Sequence, residues 1–183
     1  MRYVTIEHWD EALWKLAEVI YEEAFPEHGR KKRSLIRSML ERGLCFLHVA
    51  LDGESAAAMA ITGRLEQLNA LLIDYIAVRE ALRGQGLGQD FMAHLRRWAS
   101  EEERLDGIVI EIEAEPSPEN LKRLRFWENC GFRPTAYVHR YIWVPEPYRA
   151  LILPLRPEIR LPEDGETLFR SITAFHKRAY SGK

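Results

Sequence analysis

Between residues 71 and 88 the chain leaves an apolar run, Leu71 to Val78, passes through Arg79-Glu80-Ala81-Leu82-Arg83-Gly84-Gln85-Gly86-Leu87-Gly88, and enters an amphipathic segment. Glycines at alternate positions leave backbone N–H groups uncovered by side chains. Where a helix begins, such amides and the helix dipole favour an anion, most often phosphate. Arg83 adds a fixed positive charge at the entrance. The other residues that could do chemistry are acidic. Asp74 is isolated among Leu71, Leu72, Ile73 and Ile76, and a charge in such a run needs a partner or a purpose. Glu111, Glu113 and Glu115 alternate with Ile110, Ile112 and Ala114, so all three are expected on one face of a strand. That row repels itself unless it meets water or a cationic ligand. The six histidines show no metal-ligand spacing, and no metal is expected.

The elements that must position these groups are legible from periodicity and punctuation. Arg2 to Glu7 alternates like a strand. Asp10 can cap a helix to about Ala24, with Leu13, Leu16, Ala17, Ile20, Tyr21 and Ala24 on one face, ended by Pro26. A second helix fits Lys32 to Arg42, stopped at Gly43. Leu44 to Leu51 and Glu54 to Gly63 read as strands joined through Asp52-Gly53, and Leu68 to Val78 as a third, largely buried strand. The glycine turn opens a helix from about Gly88 to Glu103. A strand over Gly107 to Glu115 and a helix over Pro118 to Asn129 follow, and Arg133 to Val144 and Tyr148 to Leu155 form a closing antiparallel pair. The expected fold class is α/β, one domain over residues 1–156. A tail over 157–183, helical from about Glu166, either packs back on the domain or serves a dimer contact.

Three phosphate ligands compete for the turn. A Walker loop needs a final Gly-Lys-Ser/Thr, and here Gly88 is followed by Gln89-Asp90. A dinucleotide fold wants Gly-x-Gly-x-x-Gly after the first strand, whereas the spacing here is Gly84-x-Gly86-x-Gly88 after a mid-chain strand. The third reading fits. Arg83-x-x-Gly86-x-Gly88 resembles the acyl-CoA-binding signature of the GNAT N-acetyltransferases, the family related to the Gcn5 histone acetyltransferases. A second stretch, Asn120-Leu121-Lys122-Arg123-Leu124-Arg125-Phe126-Trp127-Glu128-Asn129-Cys130-Gly131-Phe132, is similar to that family's later motif, with Asn120, Phe126, Glu128, Gly131 and Phe132 in register. Independently of the family, Gly131 can stop a helix, Phe132 can pack at the next strand's start, and Asn120 near a helix N-terminus has an amide able to hydrogen-bond a ligand.

The resemblance covers roughly Leu44 to Val144. It implies a single domain with a central mixed, mostly antiparallel sheet flanked by helices, and a strand splay that holds acyl-CoA. Carried onto this chain, the cofactor-binding residues are the strand end Ile76, Ala77 and Val78, the turn Arg83, Gly84, Gln85, Gly86, Leu87, Gly88 and Gln89, and Asn120 and Trp127. The implied co-substrate is acetyl-CoA, and the implied reaction is direct transfer of an acetyl group to a primary amine of a small molecule or peptide in a ternary complex. Asp74, Glu111 and Glu113 are the catalytic candidates, as carboxylates able to take the ammonium proton. The departure from the family lies at Trp127, where many members carry a tyrosine that protonates the leaving thiolate. An indole N–H cannot release a proton at a useful pKa. Tyr75, Tyr137 or Tyr141 could substitute, or solvent could. The alternative is a non-catalytic or weakly catalytic acyl-CoA-binding or regulatory module.

Bulk properties agree with either reading. A chain of 183 residues with 46% hydrophobic and 30% charged content buries a core without disulfides or metal. A net charge of −2 gives no reason to expect nucleic acid or an acidic membrane as partner, and no apolar run is long enough to span a bilayer. Two cysteines suit a reducing compartment, and without a signal-peptide plan the cytoplasm is the expected location; the expected state is a monomer or homodimer.

Overall fold

The computed structural model describes residues 1–181; the last two positions of the expected tail lie outside them. The elements are β1 (Arg2–Ile6), α1 (Glu11–Ala24), α2 (Arg33–Glu41), β2 (Cys45–Asp52), β3 (Ser55–Leu65), β4 (Ala70–Val78), α3 (Leu87–Glu101), β5 (Gly107–Glu113), α4 (Pro118–Asn129), β6 (Arg133–Pro134), β7 (His139–Arg140), β8 (Pro147–Pro154) and α5 (Gly165–Tyr180). The sheet is open, in the order β1-β2-β3-β4-β5-β8-β6, with β7 also paired to β8. Helices flank it, as in the mixed α/β class expected. None of the described helices is long and apolar enough to cross a membrane. The chain divides into two compact units, Met1–Arg64 with Ile73–Leu95 and Lys177–Lys183, and Leu65–Leu72 with Arg96–His176.

In the first unit, β2 pairs antiparallel with both β1 and β3. The β2–β3 connection is a tight turn, with Asp52 opposite Ser55 and Gly53 at φ 60°, the left-handed conformation that glycine adopts without a Cβ penalty. The Asp10 carboxylate accepts from Leu13 N–H at 2.8 Å, capping α1; loss of such a cap costs about 1 kcal/mol. The helix buries Leu13, Trp14, Ala17, Ile20 and Tyr21. Each large apolar side chain so buried contributes about 1.5–3 kcal/mol.

In the second unit β8 is the central strand, antiparallel to β5, β6 and β7. The continuous strand expected over Arg133 to Val144 is instead two short pieces. Pro134 has no N–H for the ladder, and Thr135 turns both its N–H and its hydroxyl onto Ala150 O, each at 3.0 Å. The chain then leaves the ladder, and Tyr137 and His139 lay their rings against Phe169 of α5, with centroids 6.0 and 4.4 Å away. The strand expected to reach Glu115 stops at Glu113. Gly107 on β5 is close-packed, since a Cβ there would overlap the Leu161 side chain.

His48 on β2 is fully buried in the first unit, and its ring nitrogens meet Thr5 Oγ1 at 2.9 Å and Thr62 Oγ1 at 2.8 Å. Burial, assisted by the nearby His94, lowers its pKa to about 3. An unfolded histidine titrates near 6.5, so between those values the unfolded chain binds a proton that the folded chain excludes. The contribution of His48 to stability is complete above pH 6.5 and is lost as the pH falls towards 3, by up to about 1.4 kcal/mol per pH unit. Urea unfolding at pH 7 and pH 5 should therefore show a steeper acid loss for the native protein than for His48→Gln; equal slopes would refute the assignment.

Candidate active site

The turn after β4 takes its shape from its backbone. A single turn of tight helix over Glu80–Leu82 leads to Arg83, and then Gly84 at φ 78° and Gly86 at φ 84° take left-handed conformations. No atom lies within 4 Å of where their Cβ atoms would be, so backbone conformation rather than crowding requires glycine here. Arg83 N–H donates to Glu80 O, and the next amide bonded to backbone among the described residues is Gln89, on Gly86 O. The amides between them are those of a helix N-terminus, without backbone acceptors. The turn is braced on both sides: Arg83 Nε donates to Val78 O at 3.0 Å, and Glu80 N–H donates to Glu23 Oε1 at 3.0 Å. Gln85 Nε2 reaches Ala81 O at 3.4 Å. Ile76, Ala77 and Val78 are the last three residues of β4, with Ala77 buried and the other two half-buried.

Asp74, on the same strand, has its carboxylate occupied. Lys31 Nζ donates to both its oxygens, at 2.8 and 2.7 Å, and the two side chains are only 4% and 5% exposed. Around this pair Tyr21 OH accepts from Lys31 N–H at 2.8 Å and donates to Lys31 O at 3.2 Å. Tyr75 OH donates to Gly29 O at 2.9 Å and accepts from Lys31 N–H at 3.1 Å. Burial and the Asp74 charge push the Tyr75 phenol far above its ordinary value, and burial pushes Tyr21 up to about 12. Both tyrosines therefore act as neutral hydrogen-bonding groups, Tyr75 pinning the segment before α2 to β4 and Tyr21 pinning it to α1. Beside them Trp14, Glu18, Tyr21, Glu22 and Arg30 line a cleft of ≈ 160 Å³, and the buried Trp14 Nε1 has no hydrogen-bond partner.

The acidic face of β5 belongs to the second unit. Opposite it on β8, Glu111 pairs with Ala150 and Glu113 with Tyr148. Glu111 Oε2 accepts from Tyr141 OH at 2.7 Å, while Oε1 lies 2.9 Å from His176 Nε2 on α5. Glu113 Oε2 accepts from Asn120 Nδ2 at 3.1 Å. The same amide nitrogen donates to Glu115 O at 3.0 Å, and Asn120 Oδ1 accepts from Arg123 at 3.1 Å. Both donor hydrogens of the Asn120 amide, expected to be open to a ligand, are thus taken within the protein, while Oδ1 carries one bond. Its position follows from Ser117, whose hydroxyl accepts from Asn120 N–H at 3.1 Å and caps α4. Glu115 falls beyond the end of β5 and is exposed. Burial and then Glu113 and Glu111 push the Tyr148 phenol up to about 12. Tyr148 and His176 carry no local sequence signal; His176 joins this group across 65 positions.

Trp127 is 3% exposed, held between the Phe126 and Phe132 rings at 5.1 Å from each. Burial raises the thiol pKa of both Cys45 and Cys130, which disfavours either as a thiolate nucleophile. Among the described residues no cluster of three or more histidine, cysteine or acidic side chains could hold a metal ion.

Removing one member of a buried ion pair strands the other charge, at a typical cost of 3–5 kcal/mol, whereas replacing both with apolar groups is often near neutral. Lys31→Met should therefore destabilise the protein by about 3–5 kcal/mol in urea unfolding, and Lys31→Met combined with Asp74→Leu should recover most of that. A single variant within about 1 kcal/mol of native would show that the pair is not desolvated.

A profile of the Acetyltransferase (GNAT) family matches residues 9–132. No curated protein matches the chain by sequence. Among solved structures, a GNAT-family protein from Bacteroides thetaiotaomicron superposes with a TM-score of 0.76 at 19% identity, over 100% of both chains. A spermidine N-acetyltransferase chimera that includes the Vibrio cholerae enzyme gives 0.69 at 9% identity, over 85% of this chain and 97% of its own. A Bacillus subtilis acetyltransferase in complex with CoA gives 0.59 at 18% identity, over 85% and 99%. At these identities the structures speak to fold alone, but the family profile spans more than half of the chain, and with the glycine turn and the α4 motif in place the protein belongs to the GNAT acetyltransferase family.

Proposed function

We propose that the protein transfers an acetyl group from acetyl-CoA to a primary amine of a small molecule or peptide, by direct attack in a ternary complex. The observation that carries this reading is the turn after β4. Its two left-handed glycines, open space and unbonded amides suit a pyrophosphate, and a relative of the same fold was solved with CoA. In this reading Arg83, Gly84, Gln85, Gly86, Leu87, Gly88 and Gln89 receive the pyrophosphate, and the strand end Ile76–Val78 receives pantetheine in the manner of an added strand. Asn120 and Trp127 act from behind, Asn120 by holding Glu113 and Trp127 by packing.

The amine side falls to β5. An acceptor amine arrives as an ammonium ion and must lose a proton before its lone pair can attack. The acidic face of β5 with Glu111 and Glu113 attracts that cation and provides a route for its proton. Asp74, whose charge is neutralised by Lys31, is assigned to holding the segment before α2 in place. The spermidine enzyme of the same fold supports a polyamine or similar small amine as acceptor class. With an indole at position 127, the departing thiolate takes its proton from another group or from solvent.

Gly86→Glu should abolish acetyl-CoA binding, because its carboxylate would meet the pyrophosphate; unchanged affinity by calorimetry in the folded variant would count against the placement. Glu113→Gln should lower kcat by roughly 10²-fold or more while leaving acetyl-CoA affinity nearly unchanged. The reverse pattern, weakened CoA binding with intact kcat, would make Glu113 a structural partner of Asn120.

A further inference from the structure

The carboxylate of Glu111 is held from two sides by groups distant in sequence, Tyr141 OH at 2.7 Å on one oxygen and His176 Nε2 at 2.9 Å on the other. An ionised carboxylate only accepts hydrogen bonds. The hydrogen of the His176 contact therefore sits on Nε2, and the lone pair of the neutral imidazole sits on Nδ1. Nδ1 has no protein partner among the described residues, and the His176 side chain is 17% exposed, as is Glu111. This is the arrangement in which a carboxylate fixes a histidine tautomer and steadies the imidazolium that forms when the far nitrogen takes a proton. A proton on Oε1 of Glu111 would reverse this contact and put the imidazole hydrogen on Nδ1, leaving no lone pair there for a substrate. The other ionisable groups on the elements that carry or adjoin the pair are Glu113 on the same strand, Tyr148 on β8, His139 on β7, and Lys177 and Arg178 next to His176 in sequence.

We infer that His176, on the C-terminal helix, is the catalytic base of the transfer, with Glu111 as its orienting partner and Tyr141 as the group that fixes Glu111; the inference rests on the acetyltransferase reading above. Imidazoles as a class titrate near 6.5, closer to neutrality than carboxylates near 4, and so suit proton abstraction at physiological pH. In the step, R–NH3⁺ gives one proton to Nδ1 and its nitrogen attacks the thioester carbonyl. The N–C bond forms, the C–S bond breaks, and the electron pair leaves on sulfur. A second N–H proton departs as the amide forms. One of the two protons ends on the CoA thiol and the other in solvent, which regenerates the neutral imidazole.

The test uses the full chain with acetyl-CoA and, as acceptors, spermidine and a peptide with a free amino terminus. His176→Gln keeps a donor towards Glu111 but has no basic nitrogen. Its kcat should fall by about 10²–10⁴-fold with the KM for acetyl-CoA within about 2-fold of native, and added imidazole should restore part of the turnover of His176→Ala. Nitrogen NMR of the native protein should find the Nε2–H tautomer at neutral pH, a readout that needs no variant to fold. Native kcat in His176→Gln, failure of imidazole to rescue a folded His176→Ala, or an Nδ1–H tautomer would each overturn the assignment while leaving the acetyltransferase reading intact. A native protein that binds acetyl-CoA but turns over neither amine would instead overturn that reading, and the base with it.

Discussion

A carboxylate placed on an interior strand must be answered by a partner, and the candidate chemistry of this protein depends on how its strand carboxylates are answered. Asp74 is met by Lys31, Glu111 by His176 and Tyr141, and Glu113 by Asn120. An unpaired buried charge costs several kcal/mol, so each carboxylate fixes the position of the segment that serves it. Lys31 and Tyr75 tie the chain before α2 to β4, and Tyr21 ties it to α1. His176 ties the C-terminal helix to β5, and Asn120 ties the first turn of α4 to the end of the same strand.

The kind of partner decides what each carboxylate is available to do. Asp74 faces a permanent cation with both oxygens engaged and almost no exposure, an arrangement that stores its charge. Glu111 faces an imidazole and a phenol, which hold it by hydrogen bonds rather than by a permanent cation, and it retains some contact with solvent. Glu113 is held by a neutral amide, which orients one oxygen and leaves the charge uncompensated. The same residue type thus supplies a structural anchor, an orienting group and an open anionic surface.

The glycine turn follows a different rule. Its shape comes from backbone conformation, two left-handed glycines ahead of a helix N-terminus, and Arg83 and Glu80 brace the turn from outside. That explains why the turn was legible from residue types alone. The helix over Pro118–Asn129 was equally legible, since a serine cap, a proline at its start and a glycine after its end are local signals. The interruption between β6 and β7 was less so. Pro134 has no N–H to continue the ladder, and Tyr137 and His139 set their rings against Phe169, which lies far along the sequence.

By itself the sequence determined most of the elements, the glycine turn, the capped α4 and the alternation that puts Glu111 and Glu113 on one face of β5, because each depends on backbone conformations and periodicities within a few residues. Only the tertiary structure decided who answers each charge. It gave Asp74 a lysine 43 residues away, engaged the amide of Asn120, buried Trp127 between two phenylalanines, and brought His176 to Glu111 across 65 residues. No local pattern encodes such pairings, because they are set by the path of the whole chain and by the free energy of leaving a buried charge unmet.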